Sequence, residues 1–127
     1  MNQSVIAILS AALLGISAPA LADLAQQMDI LNKNLATVKK TKNADELKQA
    51  LAAMREAARK SISETPERLE GKPADSAEMR DYRAYVDRLI SEIDISIDKA
   101  NAGDIVGAKA QTENFERTRN ESHRKFR

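Results

Sequence analysis

The chain has 127 residues, enough for one domain, with 20 basic and 19 acidic side chains and no cysteine. Its balanced charge argues against an electrostatic nucleic-acid binder, and two Tyr and two Phe without a Trp offer no stacking series for bases. The absence of Cys excludes disulfides, thiolate metal sites, C-x-x-C redox motifs and thioether-attached prosthetic groups.

The first 22 residues carry no charged side chain. Val5 to Ile16 form an apolar run of about 12 residues, too short to cross a bilayer core of roughly 30 Å as a helix. Ala20 and Ala22 supply the small residues that a signal peptidase requires. A secretory signal over 1–22, cleaved after Ala22, is therefore predicted ahead of a retained anchor, although no Lys or Arg precedes the apolar run. Residues 23–127 are expected to form one exported domain held by packing alone. Nothing in them approaches a membrane-spanning run.

Four segments of that domain show apolar residues at three- and four-residue steps. The first opens at Asp23, a good N-cap, and puts Leu24, Met28, Leu31, Leu35 and Val38 on one stripe before Lys39, Lys40 and Lys42. The second starts at Asn43, with Glu46 in capping-box position, and its stripe is Leu47, Ala50, Leu51, Met54, Ala57, Ala58 and Ile62. From Ser63 to Asp75 the pattern breaks at Thr65-Pro66 and Gly71-Lys72-Pro73, which predicts a long connection. Asp75 or Ser76 then caps the third helix, whose stripe is Met79, Tyr82, Val86, Leu89, Ile90, Ile93, Ile97 and Ala100. Gly103 ends it, and Asp104 caps a fourth helix carrying Ile105, Ala108, Thr112, Phe115, Arg119, Ser122, His123 and Phe126. With no strand pattern and short links after helices one and three, the predicted fold is all-α: an up-down-up-down antiparallel four-helix bundle.

In that topology helix one begins where helix four finishes. Met28 lies five residues after Asp23, and His123, the chain's single histidine, lies four before Arg127. At about 1.5 Å per residue the two are level, and each is in phase with its apolar stripe. A thioether and an imidazole so placed are a candidate axial pair for haem iron. Taken singly, Met28 reads as core filler, as Met54 does, and His123 as a surface residue favoured by the helix dipole. Met79 is a competitor, because it opens helix three at the same end of the bundle.

Other chemistry finds fewer supports. Ser122 projects roughly 100° away from His123 on a helix, so no catalytic triad forms. A single His cannot supply a di-iron or zinc site, and the carboxylates read as solvated surface. A Met and a His could hold Cu(I), although a tight site wants a third soft ligand. No enzymatic activity is predicted.

The pattern Asp23-Leu24-x-x-x-Met28-x-x-Leu31-Asn32-x-Asn34-Leu35 at one end and Thr118-Arg119-Asn120-x-x-His123-x-Lys125-x-Arg127 at the other resembles the soluble cytochrome b-562 family. Lys48-x-Ala50-Leu51-x-x-Met54-Arg55-x-Ala57-Ala58 and Asp75-Ser76-x-Glu78-Met79 extend the resemblance across 23–127. It implies a periplasmic bundle that carries one non-covalent haem b and transfers electrons. The family's early Met and late His match Met28 and His123, which makes Met79 a pocket-wall residue. Related c-type bundles place C-x-x-C-H where this chain has Arg119-Asn-Glu-Ser122-His123.

On this reading Leu24, Leu31, Met54, Met79 and Tyr82 supply an apolar pocket. Arg119 or Arg127 pairs with a haem propionate, with solvated surface charge the equal alternative for both. Val86 stands where the family leads one to expect an aromatic, and Ala84 and Ser122 replace larger side chains, so the pocket is expected to be more open. A monomer is expected, meeting a redox protein in weak, transient encounters. The rival reading is a haem-free periplasmic bundle that binds envelope proteins or acts as a chaperone. It would require an exposed apolar concave face.

Overall fold

A computed structural model of the chain describes residues 20–126, with side chains from residue 23 onward. The predicted signal segment and Arg127 therefore fall outside the described residues, apart from the backbone of residues 20–22. Within them the fold is all-α, without a strand, and no helix is long and apolar enough to cross a membrane.

Helix α1 spans Ala20–Lys40. It starts upstream of the predicted cap, so Asp23 sits in the first turn, where its charge still complements the helix dipole. The link to α2 (Ala44–Ser61) is tight: the Asn43 N–H donates to Thr41 Oγ1 at 3.0 Å, while Asn43 Oδ1 accepts from the Glu46 N–H at 2.9 Å. Half of the expected capping box is thus present, and Thr41 takes the donor that Glu46 was expected to bind. The α2 stripe from Leu47 to Ala58 is buried as expected, and Ile62 caps the helix rather than continuing it.

The connection contains structure that its polar sequence did not announce. Pro66 leads into a 3-10 turn, Glu67–Leu69, whose Leu69 is buried. Ser76 then caps α3 (Ala77–Asn101) by accepting from the Met79 N–H, and Glu78 pairs with Lys72 at 3.1 Å. At the far end Gly103 adopts φ +86°. The Asp104 N–H reaches the Lys99 carbonyl and the Gly103 N–H the Ala100 carbonyl, a Schellman closure that turns the chain back.

The fourth rod is not one continuous helix. It divides into α4 (Ile105–Ala110) and α5 (Thr112–Phe126) around a tight turn at Gln111. The Thr112 hydroxyl donates to the Lys109 carbonyl at 2.6 Å, and the Asn114 N–H bonds three residues back to Gln111. A side chain that competes for a backbone acceptor locally tightens the ladder.

The core is in two parts. The larger runs through Leu31, Leu35 and Val38 of α1, the α2 stripe, Leu89 and Ile93 of α3, Ala108 and Phe115. The smaller gathers Leu69, Met79, Tyr82, Val86 and Phe126 at the end where α1 begins and α5 finishes. The α1 stripe loses burial toward that end, and the α5 stripe loses it between Phe115 and Phe126. In α1 Leu31, Leu35 and Val38 are buried, but Leu24 and Met28 are only half-buried. In α5 Phe115 is buried, whereas Arg119, Ser122 and His123 are half-buried.

Candidate functional site

The space between the two parts of the core is a cleft of about 900 Å³, within the range of about 300–1,000 Å³ usual for small-molecule sites. Four elements line it. Helix α1 contributes Leu24, Ala25, Met28, Asp29, Leu31 and Asn32, and the loop contributes Pro66, Glu67 and Arg68. Helix α3 gives Tyr82, Val86 and Leu89, and α5 gives Arg119, Ser122, His123 and Phe126.

Met28 and His123 thus border one cavity, brought there from the two ends of the domain. Leu24, Leu31, Tyr82 and Arg119 line it with them. Met79 and Met54 do not. Met79 packs beneath the lining residues Tyr82, Val86 and Phe126, and Met54 is 0 % exposed within the main core. Both are in phase with their stripes, but phase does not fix depth. Val86 and Ser122 face the cavity, whereas Ala84 is exposed and not among the lining residues.

Several residues hold the cleft's shape. Tyr82 donates its hydroxyl to the Ser61 carbonyl at 2.7 Å, and burial pushes its phenol well above the ordinary range. Tyr82 therefore presents a neutral ring edge-on to Phe126, at 5.7 Å between centroids. Phe126 makes the same contact with Tyr85, so three rings brace the smaller core. Side-chain contacts bridge the α1–α5 seam: Arg119 Nη1 donates to Asn32 Oδ1 at 3.1 Å, and Lys39 pairs with Glu116 at 3.1 Å. Asp29 is held by Lys33 on its own helix at 3.1 Å.

The loop contribution was absent from the sequence reading. Glu67 and Arg68 are polar and follow a proline, so no periodicity marks them. The only hint was Leu69, an isolated apolar residue in a polar stretch. Thr118 was also missed. It is fully buried, donating to Glu92 Oε2 at 2.9 Å and accepting from Arg88 Nε at 3.0 Å. Burial pushes the Glu92 carboxyl up, against the opposing effects of the Thr118 hydrogen bond and the Arg88 and Arg117 charges.

A porphyrin fits this arrangement on the chemistry of the lining. The walls are largely apolar, a thioether and an imidazole enter from different helices, and the charged groups sit on α1, the loop and α5. Outside the cleft, the large apolar side chains exposed among the described residues are Ile95 and Val106, which do not make a broad apolar face. A family model described as Cytochrome b562 matches residues 23–127, the stretch downstream of the predicted signal. "Probable soluble cytochrome b562 2" of Yersinia pestis is 36% identical over 128 residues, covering all of both chains. "Probable soluble cytochrome b562 1" of the same organism is 35% identical over 106 residues, 84% of each chain. The chain belongs to the cytochrome b562 family, which implies a haem cofactor.

Proposed function

We propose that this chain is a periplasmic electron-transfer protein carrying one non-covalent haem b, with His123 and Met28 as axial ligands. The observation that carries the reading is that the single imidazole and one thioether line the same largely apolar cleft. When bound, haem supplies a one-electron Fe(II)/Fe(III) couple.

The chain's own residues account for the rest. His123 would offer an imidazole nitrogen and Met28 a sulfur to the metal, and a centre held by both would leave no site for oxygen or peroxide. Thioether ligation favours the reduced metal and so raises the potential. Leu24, Leu31, Val86, Leu89 and Phe126 exclude water from the walls. Tyr82, its hydroxyl committed to Ser61, adds an apolar face rather than a competing ligand. Arg119, steadied by Asn32, stands at the rim where a propionate would lie. With no cysteine in the chain, nothing can tie the porphyrin covalently through sulfur.

Hemin titration tests the reading. The purified protein should take up one equivalent and, on reduction, show the sharp Soret and α bands of a six-coordinate low-spin centre. Material that stays colourless would refute it. Met28→Ala should give a five-coordinate, high-spin spectrum, whereas an unchanged low-spin spectrum would move the assignment to another ligand such as Met79.

A further inference from the structure

Among the described residues two cationic side chains line the cleft, Arg119 and one that the sequence did not mark as a candidate. We propose that Arg68, on the 3-10 turn of the central loop, supplies a second contact to the ligand's anionic edge, beside Arg119. The proposal rests on the haem reading. A porphyrin carries both its carboxylates on one edge, and apolar walls force that edge toward the charged lining residues.

Arg68 and Arg119 differ in what already holds them. Arg119 places Nη1 on Asn32 and both Nε and Nη2 on the Asn120 side-chain oxygen, at 3.1 to 3.3 Å, so much of its donor fork is engaged. Arg68 lines the cleft, is exposed, and makes no hydrogen bond or ion pair among the described residues. Its five donors therefore remain available to a carboxylate.

The backbone beneath it is fixed. The Leu69 N–H bonds to the Pro66 carbonyl at 2.9 Å, the Glu70 N–H to the Glu67 carbonyl at 3.2 Å, and Leu69 is buried in the smaller core. Only the Arg68 side chain has to be ordered on binding. Its neighbour Glu67 also lines the cleft, likewise without a partner, and its charge opposes an anion at the same rim. The two adjacent residues should therefore act with opposite sign.

The test is a competition titration of the apoprotein with hemin and with hemin dimethyl ester, whose carboxylates are capped. An exposed Arg–carboxylate pair predicts that Arg68→Gln weakens hemin binding about 2- to 5-fold at low ionic strength. The ester should bind Arg68→Gln and wild type alike, Arg68→Lys should recover most of the hemin affinity, and Glu67→Gln should tighten hemin. High salt should shrink all of these differences. Unchanged hemin affinity in Arg68→Gln, an equal loss for both porphyrins, or shifts of the same sign at 67 and 68 would overturn the proposal while leaving the haem reading intact. A wild-type protein that took up neither porphyrin would overturn both.

Discussion

Replacing Tyr82 by Phe separates the two things this residue does. The ring would remain against Phe126 and the cleft, and only the hydrogen bond to Ser61 would be lost. Removing a buried hydroxyl is most costly when it strands its acceptor, but the Ser61 carbonyl also accepts from the Glu64 N–H at 3.2 Å. The expected loss is therefore the net value of one hydrogen bond, about 1 kcal/mol, rather than the roughly 1–3 kcal/mol of an orphaned group. For a domain of this size that lowers Tm by about 4–8 °C.

Truncation to Ala would remove the ring as well, at roughly 3–5 kcal/mol, and open a wall of the cleft. Thermal melts of the apoproteins read the stability, and the hemin-bound spectrum reads the wall. Phe should keep the spectrum while Ala disturbs it. Alkaline pH gives a check of sign. Because burial raises the folded phenol's pKa, the native state holds its proton where the unfolded chain releases it. Wild type should therefore lose stability relative to Tyr82→Phe above about pH 10, with the full advantage present below it. A Phe variant as stable as wild type at neutral pH, or a gap that widens with alkalinity, would refute the reasoning.

Three further outcomes follow from local geometry. Glu92→Gln keeps an acceptor for Thr118 and removes a carboxylate whose pKa burial raises, so it should gain stability relative to wild type at pH 7. That gain should vanish below about pH 4, where the unfolded carboxyl is also protonated, as denaturant melts at the two pH values would show. Gly107→Ala should fail to give the usual gain of about 1 kcal/mol, because a Cβ there would lie 2.1 Å from Asp104 Oδ2 and displace a cap worth about the same. A double-mutant cycle with Asp104→Ala measures that coupling. Leu69→Ala should cost about 2–5 kcal/mol in urea melts and also weaken hemin binding, since it frees the turn that carries Glu67 and Arg68.

The order of the four rods and most caps could be read from spacing, because they depend on contacts within a few residues. Asn43, Ser76, Gly103 and Asp104 each act where their chemistry indicated. The candidate pair was legible for a similar reason. A single histidine and a methionine in phase near the matching end need only the topology to meet. Depth was not legible. Met54 and Met79 share the phase of pocket residues, yet other side chains stand between them and the cavity. The start of α1 at Ala20 and the turn at Gln111 escaped notice because each depends on a local backbone choice that apolar periodicity does not encode. Thr118 lies three residues beyond Phe115, on the buried face, but its hydroxyl hid it from a hydrophobic count until Glu92 and Arg88 were seen to satisfy it.

The divided core explains why the two ends of the chain serve better than its middle. A bundle built without disulfides gains its stability from continuous stripes, and here the stripes of α1 and α5 run on past the main core with half-buried residues. At Leu24 and Met28 of α1 apolar surface is left half-exposed, which is a standing cost to the folded chain. A flat apolar ligand entering there would complete the contact between the main core and the ring cluster, so its binding energy would also be folding energy. Met28 and His123 are among the half-buried residues, on the two helices bridged by Arg119–Asn32 and Lys39–Glu116. The same opening that weakens the bundle would therefore give such a ligand its way in. The bridges keep it from spreading along the seam, and the buried Leu69 holds the loop across its rim.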